Sequence, residues 1–241
     1  MPGLYVGIDD TDVAGSPGTN QLARRVADAL PDGCRATLIA RHQLLFDPRV
    51  PFTSQNGSAS LLIETGEAEA ESRVLPILRR EMRAWFVSGS DPGLCVAARV
   101  HPAVIEFGRR CQRELVTQAE ARRLAEHAGI LLEGLGGTED GVIGALAAVG
   151  LLAGGNDGRV VHRPGWTWPD GFAGPQPMEA ILARGVDEVR DSRSGVRLDR
   201  GSVDVGKHLR PALRSGRVVL FVEPENGSEG GEPEWRAVKL P

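Results

Sequence analysis

Leu4-Tyr5-Val6-Gly7-Ile8-Asp9-Asp10-Thr11-Asp12 is an alternating apolar strand that runs straight into three carboxylates. Such alternation, closed by the Gly15 to Gly18 turn cluster, predicts a buried strand with the acids at its C-terminal end. Ligand crevices of α/β sheets open at that end. Three formal negative charges within four residues repel one another, and a Mg²⁺ shared between carboxylates and substrate phosphates relieves the repulsion. On the other reading, Asp10 and Asp12 are turn formers whose side chains bond nearby backbone N–H groups. Spacing alone leaves both open.

Downstream, Val13-Ala14-Gly15-Ser16-Pro17-Gly18-Thr19-Asn20 is a Gly/Pro/Ser loop, and Gln21 to Leu30 places Leu22, Val26, Ala29 and Leu30 at helical spacing. Thr19 or Asn20 is then the expected N-cap. A glycine-rich loop feeding a helix start presents unpaired N–H groups to an anion, so Gly18, Thr19 and Asn20 are candidate phosphate-binding residues beside candidate metal-binding acids. An ordinary capped helix explains Thr19 but not the acids next to it. The loop is no standard phosphate loop, because neither G-x-x-x-x-G-K-[ST] nor a G-x-G-x-x-G after this strand occurs. Lysine is confined to Lys207 and Lys239, which leaves Lys207 as the lysine placed to meet a phosphate.

These residues resemble a known family. Gly7-Ile8-Asp9-Asp10-Thr11-Asp12, with Thr19 following, is similar to the start of the kinase domain of archaeal tRNA-Ile agmatidine synthetases. His42 to Ala59, containing Asn56-Gly57, is similar to that family's proline-containing stretch ending in an asparagine-glycine run. Gly141-Val142-Ile143-Gly144-Ala145-Leu146-Ala147-Ala148 resembles its glycine-leucine-isoleucine-glycine-alanine helix, and Asp91-Pro92-Gly93 resembles an asparagine-proline-glycine turn. Together they cover about the first 150 residues in order.

The resemblance implies an ATP- and Mg²⁺-dependent domain that phosphorylates a cytidine carbonyl oxygen, which agmatine then displaces, with a first-loop threonine that becomes autophosphorylated. That threonine falls on Thr19, the aspartates on Asp9, Asp10 and Asp12, and Asn56 and Gly57 join the same nucleotide site. The chain also departs from the pattern. Gly136-Gly137-Thr138-Glu139-Asp140 stands where the family has a basic glycine run, and Gly18-Thr19 where it has a cysteine-threonine pair. The oligonucleotide-binding barrel and zinc ribbon of the relatives are expected to be missing.

Charge argues in the same direction. Binders of structured nucleic acid show a basic stripe and a pI above about 9, whereas this chain has pI ≈ 5.8 and net charge −4. Arg79-Arg80, Arg109-Arg110 and Arg122-Arg123 lie in helix-periodic stretches interleaved with acids and read as solvated faces. Cys34, Cys95 and Cys111 form no C-x₂-C pair, so neither a zinc ribbon nor a disulfide framework is expected. No signal-peptide pattern or membrane-length apolar run occurs, and a cytoplasmic location is expected.

The 241 residues divide, on this reading, into a kinase-like domain over 1–153, a Gly/Pro/Trp-rich linker over 154–177 containing Trp166 and Trp168, and a small α+β domain over 178–241. The first part predicts strands over Arg35 to Phe46, Ser58 to Glu64 and Leu94 to Ala98. Its helices run from about Glu67 to Phe86, His101 to Gln112 and Gln118 to His127, the last capped by Thr117. The loop Gly134 to Thr138 is a second anion-site candidate, with structural capping by Thr138 the preferred explanation. In the last part Met178 to Ala183 is helical, and Val186 to Arg190, Arg197 to Val205, Arg217 to Glu223 and Glu234 to Leu240 are strands, the final two joined by the polar loop Glu225 to Pro233. Lys207, His208 and Arg210 follow a strand, and Lys207 and Arg210 are candidates to clamp phosphates opposite the acids. A surface turn explains them as well.

The expectation is an α+β protein with mixed or antiparallel sheets, kinase-like first and a small α+β domain after; the resemblance implies a ferredoxin-like domain there, though no residue-level match in this chain carries it. It acts as an ATP- and Mg²⁺-dependent phosphotransferase or ligase on a small molecule or an RNA. Asp9 and Asp12 bind metal, and Asp10 binds metal or orients the nucleophile. Thr19 meets or accepts the phosphoryl group, and Gly18, Asn20, Asn56, Gly57, Lys207 and Arg210 bind nucleotide. A non-catalytic nucleotide-binding partner subunit is the alternative. tRNA is a candidate partner that the charge does not support, no membrane is expected, and a homo-oligomer is a candidate assembly.

Overall fold

In the computed structural model, strand β1 (Gly3–Asp9) is the central strand of a five-stranded antiparallel sheet. The sheet runs β5 (Leu131–Gly134), β4 (Gly93–Ala97), β1, β3 (Gly57–Thr65), β2 (Cys34–Gln43). The structure describes residues 3–13, 15–50, 55–66, 70–167, 171–225 and 234–239. It separates into two units, Met1–Gly154 and Gly155–Pro241. The α+β expectation holds.

Alternation along β1 sorts its two faces. Leu4, Val6 and Ile8 are buried on one side, where α1 (Thr19–Asp28) packs with Leu22, Ala23 and Val26. Helix α2 (Ala70–Trp85) lies against α1, and Arg25 bonds Glu81 across the pair at 2.6 Å. Tyr5, Gly7 and Asp9 point to the other side. There α5 (Gly141–Gly154) packs, with α3 (Pro102–Cys111) and α4 (Gln118–Ala128) beyond it. Thr117 caps α4 through a capping box with Glu120, as its sequence signature predicts.

Helix α5 is apolar all round because it is buried nearly all round. It reaches the sheet through glycines. A Cβ on Gly7 would stand 2.0 Å from the Ala145 carbonyl oxygen, and one on Gly93 2.1 Å from the Gly141 carbonyl carbon. Gly150 meets α3 the same way, 2.1 Å from the Val104 carbonyl oxygen. The helix therefore rests on backbone, and its first turn is held at the end of β1 where the acids are.

Two expectations change here. The acids do end β1, but the surrounding sheet is antiparallel, so the crevice rule of open parallel sheets does not place them. They are placed by the register that sets Asp9 against Gly93, and by α5 across them. Nor does Thr19 or Asn20 cap α1. The N-cap is Gly18, with no side-chain cap bond.

The second unit holds β6 (Arg159–His162), β7 (Pro175–Pro177), α6 (Met178–Ala183), β8 (Glu188–Asp191), β9 (Arg197–Leu198), β10 (Ser202–Asp204), β11 (Ala212–Arg214), β12 (Arg217–Pro224) and β13 (Trp235–Ala237). Its strands are mixed: β12 pairs antiparallel with β11 and β13 and parallel with β8, and β13 pairs parallel with β10. Strands β6 and β7 form inside the Gly/Pro/Trp-rich stretch, and Trp166 Nε1 donates to the Arg184 carbonyl at 2.7 Å. The expected strand Arg197 to Val205 is two short ones. Glu188, 3% exposed, is held by Arg190 and Arg217. Trp168, the segment 51–54 within His42 to Ala59, and 226–233 of the polar loop lie outside the described residues. Among the described residues no helix is long and apolar enough to cross a membrane.

Candidate active site

The chain leaves β1 through Asp10, which takes a left-handed φ of 49° and so turns sharply beneath α5. Further on, a turn closes where Ser16 N–H donates to Val13 O at 2.9 Å and the Ser16 hydroxyl bonds the same residue. This brings the loop back onto itself at α1. Thr19, nearly buried, sits there with its hydroxyl turned away from the helix. It accepts from Thr11 Oγ1 at 3.0 Å and donates to Asp12 Oδ1 at 2.9 Å. A hydroxyl that donates to a carboxylate is the arrangement of a nucleophile beside its base.

The other two acids are costly to ionise. Burial lifts the Asp9 carboxyl to about 7, and repulsion from Asp10 and then Asp12 adds to it against a hydrogen bond from the Asp10 backbone. Burial raises Asp10 to about 6, with Asp91, Asp12 and Asp140 repelling it and a backbone hydrogen bond from Asp91 opposing. Asp9 Oδ2 lies so close over Gly144 that a Cβ there would be 1.7 Å away. A hard divalent cation would remove this penalty, and the oxygen-only donors suit Mg²⁺. Among the described residues no group of three or more His, Cys, Asp or Glu forms a ready metal cage.

These groups open onto a cavity of about 680 Å³ lined by first-unit residues. Asp9, Asp10, Asp12, Gly18, Thr19, Asn20, Asn56 and Gly57, all expected from the sequence, line it together. Asn56 Nδ2 donates to Leu45 O at 2.8 Å and Asn56 O accepts from Leu44 N–H at 2.8 Å, so this residue fixes the β2–β3 connection at the rim. Leu44, Leu45, Val50, Leu115, Val116 and Ile143 give the cavity an apolar part. Cys111 also lines it, and burial pushes its thiol up to about 12.

Lys207 and Arg210 belong to the second unit, on the β10–β11 connection, where Gly206 N–H donates to Asp204 Oδ1 at 2.8 Å in the turn before Lys207. The second glycine loop is not an open anion site. Thr138 N–H donates to the Asp91 carboxylate, and a Cβ on Gly137 would stand 1.9 Å from Asp91 Oδ1, so the loop wraps an acid of its own chain. Gly141, Val142 and Ile143 N–H groups at the start of α5 bond the Asp91, Glu139 and Asp140 carbonyls. Thr138 precedes the helix by three residues and does not cap it. Glu139 pairs with Arg122, and the Gln118 amide reaches Thr138 O at 2.9 Å and Asp140 at 3.3 Å.

Sequence reasoning missed Arg41, Asp91 and Asp140 as neighbours of the acids. Arg41 carries a signal in retrospect, as a charge in the otherwise buried run Thr37 to His42 of β2.

No family model matches the sequence, and no curated protein matches it. Several solved structures share its fold. A complex of TiaS with its isoleucine tRNA and ATP is 20% identical over 76% of this chain and 44% of that chain, with a TM-score of 0.55. A tRNA fluorescent labeling enzyme is 22% identical over 61% and 36%, with a TM-score of 0.54. A complex of TiaS with the same tRNA, AMPCPP and agmatine is 21% identical over 62% and 36%, with a TM-score of 0.53. TiaS is a tRNA-Ile agmatidine synthetase. This chain thus spans less than half the length of the proteins it resembles, and at this identity the likeness is one of fold.

Proposed function

We propose that the first unit uses ATP with Mg²⁺ to activate an acceptor oxygen by phosphoryl transfer, as a kinase- or ligase-type enzyme resembling tRNA-Ile agmatidine synthetase. The observation that carries this reading is the Thr19 hydroxyl donating to Asp12 beside two half-buried carboxyls, Asp9 and Asp10, in one cavity. The shared fold supports it, since the solved neighbours include complexes with ATP, AMPCPP, agmatine and an isoleucine tRNA.

Asp9 and Asp12 would hold Mg²⁺, with Asp10 beside them; when bound, it would neutralise charge on the phosphates during transfer. Asp12 orients Thr19 through Oδ1 and would take its proton as the Thr19 oxygen bonds the γ-phosphorus and the bond from that phosphorus to the leaving ADP breaks. Thr11 donates to one lone pair of the Thr19 oxygen and leaves the other for the phosphoryl group. Gly18 and Asn20 offer the uncapped start of α1 to phosphate oxygens. The apolar part of the cavity shelters a flat ring from water. The acceptor is an RNA or a small molecule. The tRNA held in the solved neighbours' complexes favours RNA, while the acidic pI weighs against a phosphate backbone held by this chain alone.

The test is Mg²⁺-dependent ATP turnover, with mass spectrometry of Thr19 after incubation with ATP. Wild type is expected to turn over ATP or phosphorylate Thr19, and Asp12→Asn to lose about 100-fold or more. Absence of both Mg·ATP binding and turnover in wild type overturns the proposal. Filter binding to tRNA at rising salt assigns the acceptor class, since retention by phosphate contacts must weaken with salt.

A further inference from the structure

Two arginines line the cavity, and they differ in what already holds them. Arg49 is exposed and bonded twice to Asp47, Nε to Oδ1 and Nη2 to Oδ2 at 2.8 Å each. Its charge is spent on its own turn. Arg41 stands near the end of β2, half-buried, and among the described residues its hydrogen bond is to Gln55 Oε1 at 3.3 Å. Asp12, whose Oδ1 takes the Thr19 hydroxyl, acts on it through space. A guanidinium has five donors in a planar fork, and taking it partly out of water is unfavourable until an anion engages that fork.

A second observation is steric. Gly57 opposes Gln43 in the β2–β3 register, two positions on from Arg41. A Cβ on Gly57 would lie 2.8 Å from Arg41 Nη2 and 3.1 Å from Nε. The absent side chain is the space in which the guanidinium lies, along the cavity wall that Gly57 itself helps form.

We propose that Arg41 is the cation that binds the nucleotide's phosphate oxygens at this site, and that Gly57 serves the site by giving Arg41 room and not by touching the nucleotide. This rests on the cavity being the ATP site. It provides the phosphate clamp from within the first unit, beside the acids and the start of α1. The guanidinium fork can meet two phosphate oxygens at once.

The test is equilibrium binding of Mg²⁺ with a non-hydrolysable ATP analogue to the full chain. Wild type is compared with Arg41→Gln, Arg41→Lys, Gly57→Ala, Arg49→Gln and, as control, Arg35→Gln, which alters an exposed pair with Glu64. Melting temperature is recorded for each ligand-free variant. Arg41→Gln is expected to weaken binding about 10- to 100-fold with an unchanged melting temperature. Arg41→Lys should retain part of the affinity, Gly57→Ala should fall between, and Arg35→Gln should match wild type. If wild type does not bind the analogue, the ATP reading itself has failed. If wild type binds and Arg41→Gln binds within twofold of it, or Arg49→Gln carries the loss instead, the assignment of Arg41 is overturned while the ATP reading stands. Equal losses in Arg41→Gln and Arg41→Lys with lowered melting temperatures give Arg41 a structural role and also overturn it. Should Arg41→Gln not fold, Arg41→Lys and Gly57→Ala decide: affinities within twofold of wild type in both overturn the assignment.

Discussion

A carboxyl set between a sheet and a helix holds its proton to higher pH than a free one, and Asp9 is in that position. Its folded pKa of about 7 lies above the ordinary 3.8. Between those values the folded chain holds a proton that the unfolded chain has released, so the stability from this group is full below about 4 and lost as pH rises through about 7. In metal-free protein Asp9→Asn is therefore expected to be more stable than wild type at pH 8, by up to a few kcal/mol, and nearly equal at pH 4. Denaturant titrations in a chelator at the two pH values check this, and equal curves at both contradict it. The same variant should lose Mg²⁺-dependent activity, because the amide cannot replace a carboxylate toward a hard cation.

At the scale of elements, capping and close packing give separable predictions. Thr117→Ala removes half of the α4 capping box and should cost about 1 kcal/mol. Gly7→Ala drives a methyl into the Ala145 carbonyl and should cost about 1–3 kcal/mol or more, since helix and sheet must part. Gly66→Ala, with open space around it, should be close to neutral by the same denaturation assay. Strand β1 and helix α4 with its cap were legible from their periods, and α5 from the apolar run that resembles the family's helix. Thr19 was misread because a threonine before a helix caps it by default, and only the folded loop shows Asp12 competing for the hydroxyl. The acids of the site were legible because they adjoin in sequence. Arg41 reaches them through β2–β3 pairing, and Asp91 and Asp140 through the turn that meets α5, contacts between residues far apart in the chain. Strands β6 and β11, at four and three residues, are too short to leave a period.

For the whole molecule, a Mg²⁺ that relieves the repulsion at Asp9 and Asp10 is linked to folding. Chelation should remove the rise in melting temperature that Mg²⁺ and ATP produce and leave the chain folded. A ligand at about a hundred times its Kd adds roughly 2.7 kcal/mol to the state it binds. Thermal scans with ATP alone, Mg²⁺ alone and both would read this directly, and unfolding by chelator would contradict it. The glycines beneath α5 have a different kind of consequence, for what this chain can become. At positions 7, 93, 141 and 144 the missing methyl is filled by backbone or by Asp9, Asp10 and Asp91. A single substitution at any of them therefore perturbs the floor of the site and the core together, and a compensating change would have to move a helix as well as replace a side chain. In a library of all single substitutions these positions should read as closed while most of the cavity rim stays open. The route by which such a chain acquires a new acceptor runs through its loops.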